Sequence, residues 1–371
     1  MISRMVLGAG LALVMLIVGP ATYLYLGTRT SKVAAPPAKP TSATPRAQAV
    51  ALPGTMYLAQ DGALYSLSAG RFHQLTPEVG WTQPALTPDG SNIMAVKRSA
   101  FYSDVYVLNT FGTVIRRVTS NAAPPRLAYD PGQNHWSFYP RLSADGRTLW
   151  MAYDKPKFGY DVVFSIWAMP YGGTITQGRI WTNAADYTGG DVQPVPVPGG
   201  VIYTKYDYGP DAKLVGRLWF TNRAYGAGKP LTDPAEDCRS PALSPDGSQI
   251  AMICTYEKQV SYMTIASWNG SSLGARRTLV SDQLVAQPTW APDGSGIAYL
   301  APGAGAGPFQ LWFLPRAAYA PRPSPVPTPT PGGPHNGPVP SPSPAPAVVV
   351  KPIQVTTNNG FDATSTIAWR Q

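Results

Sequence analysis

The sequence predicts an all-β fold: a six-bladed β-propeller preceded by an N-terminal transmembrane helix and a linker. Three observations predict it. One phrase recurs at blade-sized spacing, a pair of further short strands follows most copies, and the two ends of the repeating region supply complementary fragments of a single blade. The composition agrees. The 371 residues include 41 Pro and 36 Gly, too many for a helical protein, and 44% hydrophobic residues, enough for a real core.

The first element is residues 5–26, "MVLGAGLALVMLIVGPATYLYL", which carry no charge. Twenty-two helical residues span about 33 Å, enough for a hydrocarbon core of about 30 Å. Tyr23 and Tyr25 fall at the far end, where aromatic rings favour the membrane interface. A cleaved signal peptide is the rival reading, but no small-residue cleavage site follows the apolar run promptly. Residues 1–29 are therefore read as an uncleaved single-pass anchor in the cell membrane, with the rest of the chain on the extracytoplasmic side. Residues 30–53, rich in Pro, Ala, Ser and Thr, read as a semi-rigid spacer.

The repeat occupies most of residues 54–371. "PALTPDGSNIMAVKRS" starts at Pro84, "PRLSADGRTLWMAYD" at Pro140, "PALSPDGSQIAMICTYE" at Pro241 and "PTWAPDGSGIAYLAP" at Pro288; a worn copy, "PVPVPGGVIYTKYD", starts at Pro194. Equivalent turn positions are Asp89, Asp145, Gly199, Asp246 and Asp293, spaced 56, 54, 47 and 47 residues apart. Four strands and their turns fill about 40–50 residues. In the Pro241 copy Pro245 presets φ, Asp246 bonds nearby amides and Gly247 takes a left-handed conformation, the chemistry of a hairpin turn. In the Pro241 copy the first strand is expected over 239–244, followed by a three-residue loop. The second strand places Ile250, Met252 and Cys254 on one face, with Ala251 and Ile253 on the other. Third strands follow as "DVYVLN", "SIWAMP", "RLWFTN", "YMTIASW" and "FQLWFLP"; fourth strands are expected at 114–120, 228–233 and 275–281.

The ends complete the ring. Residues 56–76 supply strands two to four of a blade without its first, and "TSTIAWR" at 364–370 resembles a lone first strand, with Trp369 matching Trp290. Joined, they close six blades and remove the open sheet edges that invite aggregation. The tract 317–347, with twelve Pro, then interrupts the last blade between its third strand at 309–314 and its fourth at 351–356. It reads as an extruded polyproline loop reaching at most about 95 Å, a passive spacer or a ligand for a Pro-reading module.

The "SPDGSQIA" type of phrase resembles the repeat of TolB-like β-propellers, a WD-like fold family, over residues 54–371 apart from the Pro-rich loop. The resemblance implies binding above catalysis: TolB is a periplasmic propeller that docks partner proteins over its central channel. TolB also carries an N-terminal α/β domain, in whose place an anchor and spacer stand here. The same repeat is similar to the propeller that gates prolyl-oligopeptidase-type serine peptidases.

Charge excludes one class of partner. The formal net charge is +9, but residues 54–316 carry 21 Lys and Arg against 19 Asp and Glu. The excess lies on the flanks, so the folded region has no basic stripe for nucleic acid. Signs of catalysis are weak. The one GxSxG match, 270–274, lies between a third and a fourth strand, where a nucleophile elbow needs a strand-to-helix turn. Three His in unrelated segments and two Cys supply no zinc motif. A calcium-dependent, channel-centred hydrolase of lactonase type is the alternative function; its candidate carboxylates are Asp154, Asp161, Asp207 and Asp237, which share no spacing. No cofactor is expected.

Ligand contact is expected instead in three loops rich in Tyr, Asp and Lys, in consecutive blades: 154–164, 183–191 and 205–213. The candidates are Tyr160, Asp161, Tyr187, Asp191, Tyr206, Asp207 and Tyr208. Tyr beside charge is the chemistry of a recognition surface, although β-proteins also place Tyr at strand ends for packing. The expected partner is a protein or a cell-envelope polymer, bound by a monomeric propeller. "NGS" at Asn269 is a formal glycosylation acceptor but reads as a tight turn. Finally, counting outward from the hairpin places Cys238 opposite Cys254. Opposed Cβ atoms lie about 4.5–5.5 Å apart, within a small adjustment of disulfide geometry. The pair is expected to form a disulfide in an oxidising compartment.

Overall fold

The computed structural model describes residues 52–77, 80–128, 130–157, 162–209, 212–255, 261–303, 306–320 and 350–371. The anchor, nearly all of the spacer and most of the Pro-rich tract lie outside them. Among the described residues no helix is long and apolar enough to cross a membrane.

The strands come in chain order. The first three are β1 (Thr55–Gln60), β2 (Ala63–Ser68) and β3 (Arg71–Gln74). Blade two holds β4 (Trp81–Leu86), β5 (Asn92–Arg98), β6 (Ser103–Asn109) and β7 (Val114–Arg117). Blade three holds β8 (Ser137–Leu142), β9 (Thr148–Tyr153), β10 (Ser165–Pro170) and β11 (Arg179–Ile180). Blade four holds β12 (Asp191–Val197), β13 (Gly200–Tyr208), β14 (Leu214–Thr221) and β15 (Lys229–Pro230). Blade five holds β16 (Cys238–Leu243), β17 (Gln249–Cys254), β18 (Tyr262–Trp268) and β19 (Leu273–Val280). Blade six holds β20 (Ala286–Trp290), β21 (Gly296–Pro302), β22 (Phe309–Pro315) and β23 (Ile353–Gln354). The last strand, β24 (Ala368–Arg370), returns to blade one and pairs with β1 as Thr55↔Arg370, Met56↔Trp369 and Tyr57↔Ala368. Six antiparallel four-stranded sheets result, with the closure that the two end fragments predict.

The first strands meet around the centre: β4 with β8, then β12, β16, β20 and β24, which returns to β4. The core is six hydrophobic clusters, one between each pair of neighbouring blades. Ile250, Met252 and Cys254 pack towards blade four with Ile202 and Leu218. Ala251 and Ile253 pack towards blade six with Ile297 and Tyr299. These are the two faces that the alternation predicts. Second strands are buried on both faces because each sheet is sandwiched between two others. The short β3 and β7 at the rim are exposed, and Arg116, Arg117, Arg276 and Arg277 on β7 and β19 guard their edges with charge.

The hairpin differs from expectation in one instructive way. Ser244 pairs with Gln249, so the loop has four residues and not three. The strand then bulges between Arg239 and Ala242, and the slip is undone: Cys238 lies opposite Cys254 after all. A disulfide joins them. The same bulge recurs in β4, β8, β12 and β20. Each time a residue at positive φ precedes Pro: Gln83, Tyr139, Gln193, Ser240 and Gln287. Pro has no N–H to lose, so it suits a bulge inside a strand.

Candidate functional site

The bulges build the wall of the central channel. A cavity of about 320 Å³ is lined by Tyr139, Arg141, Gln193 and Ser240, by Pro194, Pro241 and Pro288, which follow three of the bulges, and by Trp290 and Trp369. It opens on the face of the Asp-Gly turns, since Pro245 and Pro292 lie at its rim. Left-handed backbone at a non-Gly residue is costly and persists only when its surroundings fix it. Here the fixing is done from blade to blade. The Ser365 hydroxyl accepts from the Gln83 amide at 2.7 Å, Gln83 Oε1 from the Tyr139 amide at 2.7 Å, and Gln193 Oε1 from the Ser240 amide at 2.9 Å. Gln193 Nε2 donates to the Ser240 hydroxyl at 3.0 Å, and Gln287 Nε2 to the Ala363 carbonyl at 3.0 Å. The channel wall is thus a belt of amides and hydroxyls that bond one another.

Arg141 stands apart from that belt. It is the single charged residue among those lining the cavity. Its guanidinium reaches across to blade two, where Nη1 donates to the Pro84 carbonyl at 3.4 Å. That oxygen already accepts from the Thr366 hydroxyl at 2.9 Å. Burial alone pulls the guanidinium down to about 10, with no carboxylate acting against it. Three other arginines pair with carboxylates, Arg117 with Asp104, Arg239 with Asp237 and Arg276 with Glu236, while Arg116, Arg277 and Arg370 bond backbone carbonyls. Burial also pushes up the Tyr139 hydroxyl, two residues away.

The described parts of the three Tyr- and Asp-rich loops fall on the opposite face, at the far ends of the strands. Tyr160 and Asp161 lie outside the described residues. The second and third loops touch: the Tyr208 hydroxyl donates to the Tyr187 carbonyl at 3.2 Å. Tyr187 and Tyr208 are 77% and 55% exposed and present their rings to solvent. Asp207 accepts from the amide of Tyr208. Tyr206 is part-buried, and burial raises its hydroxyl. Asp191 is fully buried, 3.3 Å from Lys205 Nζ, which also holds the Asn183 carbonyl. Burial pushes the Asp191 carboxyl up, against the pull of Lys205. Its place is in the loop's foundation.

Of the carboxylates proposed for calcium, the described ones are engaged separately. Asp154 is buried between His135 at 2.9 Å and Lys157 at 3.1 Å. Asp237 accepts from the Gly216 amide and pairs with Arg239. Among the described residues no three His, Cys, Asp or Glu are grouped to hold a metal ion. The GxSxG match is the tip of the β18–β19 hairpin, where Asn269 Oδ1 accepts from the amides of Ser271 and Ser272.

Arg141 was hidden inside the repeat. It lies in "PRLSADG", a phrase whose other copies are scaffold. One signal marks it: the residue after the repeat's Pro is Ala85, Val195, Ala242 or Thr289 in the other copies, each small and neutral.

No protein-family model and no curated protein matches the chain. Solved structures do. The chain is similar to TolB from Acinetobacter baumannii, at 18% identity and a TM-score of 0.52, over 71% of this chain and 61% of that one. It thus spans less than two thirds of that relative. A protein assigned as TolB from Agrobacterium tumefaciens matches at 18% identity and a TM-score of 0.49, over 71% and 84%. A puromycin-hydrolysing peptidase from Mycobacterium tuberculosis matches at 14% identity and a TM-score of 0.43, over 70% and 42%. From Leu52 onward, the chain carries the fold of a TolB-like six-bladed β-propeller.

Proposed function

We propose that the chain is a membrane-anchored, extracytoplasmic binding module. Its propeller holds a segment of a partner protein or an envelope polymer and performs no chemistry on it. The channel carries this reading: an open cavity whose wall is apolar rings, mutually bonded amides and one unpaired cation. Such a surface offers shape and hydrogen bonds to a ligand, with the few convergent polar groups that fix orientation. The fold likeness to TolB supports it at the level of architecture, and fold alone does not assign function. The Cys238–Cys254 disulfide fits an oxidising compartment.

The test is affinity capture from envelope extract by the purified protein and by Thr289→Trp, which fills the channel. A bound partner should be retained by the native protein and lost on the filled one, at an unchanged melting temperature. Equal retention by both removes the channel from the reading. Hydrolysis of an ester or lactone panel that chelator abolishes would replace it with the calcium-dependent alternative.

A further inference from the structure

A charge drawn into a fold without a counter-ion is costly to keep. Arg141 is a half-buried charge at an open cavity with no carboxylate in its lining, and nothing in the fold requires it. Five other blades manage with Ala85, Val195, Ala242, Thr289 or Ala368 at the matching position of the first strand. Its one hydrogen bond among the described residues is long and goes to a carbonyl it shares with Thr366. The polar neighbours cannot neutralise it either, since Gln193 and Ser240 are committed to each other. The cavity that Arg141 lines has no acidic group in its wall.

We infer that Arg141 is the recognition residue of a carboxylate-binding site in the central channel, filled by an extended segment of a partner protein. The inference rests on the binding-module reading and names the chemistry it would select. A guanidinium offers two parallel N–H groups that match the two oxygens of a carboxylate, and such charge-assisted pairs are about twice as strong as neutral ones. The surrounding Pro194, Pro241 and Pro288 rings lower the local dielectric, which strengthens the pair further. A cavity of about 320 Å³ is too small for a folded domain and suits a few residues of extended chain. The carboxylate can be an Asp or Glu side chain or a chain terminus.

A random heptapeptide display library, selected on the purified protein and on Arg141→Gln, tests this. Peptides selected by the native protein should be enriched in Asp and Glu, and Arg141→Gln should lose that enrichment. The best synthetic peptide should bind Arg141→Gln at least tenfold more weakly, and Arg141→Lys should restore part of the loss. Replacing its Glu by Gln, or amidating its C-terminus, tells which carboxylate is held. Peptides bound without acidic preference, or equally by Arg141→Gln, overturn the inference and leave the binding reading standing. No selected peptide at all removes both. Inorganic phosphate displacing the peptide at micromolar concentration would reassign the site to phosphate. The variant should melt at or above the native temperature, because it removes an unpaired charge. A variant that fails to fold makes the guanidinium structural and also overturns the inference.

Discussion

At the residue scale, the repeated Asp is a turn device with an acid signature. The Thr87 and Ser91 hydroxyls and the Ser91 amide hold the Asp89 carboxyl down at about 2. The same kind of contacts lower Asp145, Asp246 and Asp293. In the unfolded chain these groups titrate near 3.9. Their stabilisation is therefore complete above about pH 4 and is lost as pH falls towards about 2. Replacing all four by Asn should flatten the fall in denaturation midpoint between pH 5 and pH 2, and an unchanged slope would contradict this. The buried Asp191 gives a prediction of a different kind. Lys205→Met strands its carboxylate, which should cost about 3 kcal/mol by urea denaturation at pH 7. Sequence alone placed Asp191 in an exposed loop because its partner lies across the hairpin, fourteen residues away and invisible to local composition.

At the element scale, hairpin chemistry was largely legible. Pro, Asp and Gly at fixed offsets say where the chain turns, and the alternation of Ile250, Met252 and Cys254 says which face meets which neighbour. The bulge was not legible, because one extra residue in the strand is offset by one extra residue in the loop. Cys238 and Cys254 end up paired either way. Their bond closes a loop of sequence separation 16, for which chain entropy gives about 3 kcal/mol. The Cys238→Ser/Cys254→Ser variant should lose about that much, and Ellman titration of the unfolded native protein should find no free thiol. Gly190 is a second checkpoint. It sits at φ 81°, and a Cβ there would lie 2.1 Å from the Phe164 carbonyl oxygen. Gly190→Ala should lower the melting temperature by several degrees and disturb the Tyr187 loop above it.

At the scale of the whole molecule, the ring depends on one short seam. Trp369 packs at 6.1 Å against Phe313, and its indole N–H holds the Pro53 carbonyl; Arg370 reaches the Gly90 carbonyl at 2.7 Å. Removing residues 364–371 should convert a cooperative melt into a broad one with aggregation, because β1 and the blade-six face are uncovered together. A sharp, unshifted transition would show that the other five interfaces suffice. The ring itself was readable from complementary end fragments. The channel's charge was not, because a departure from a repeat is visible only after the repeat has been recognised as scaffold.

The seam also sets an order of events in biogenesis. Thr55 and Arg370 are neighbours in space and more than three hundred residues apart in sequence, so the seam they belong to is entropically expensive to close. During synthesis, β1 would wait beside its own hairpin with its inner edge bare until β24 arrives. A chaperone that shields a β edge would act in that interval, and its client signal would vanish once Ala368–Arg370 emerge. The slowest step of assembly and the most aggregation-prone intermediate would therefore belong to the same strand.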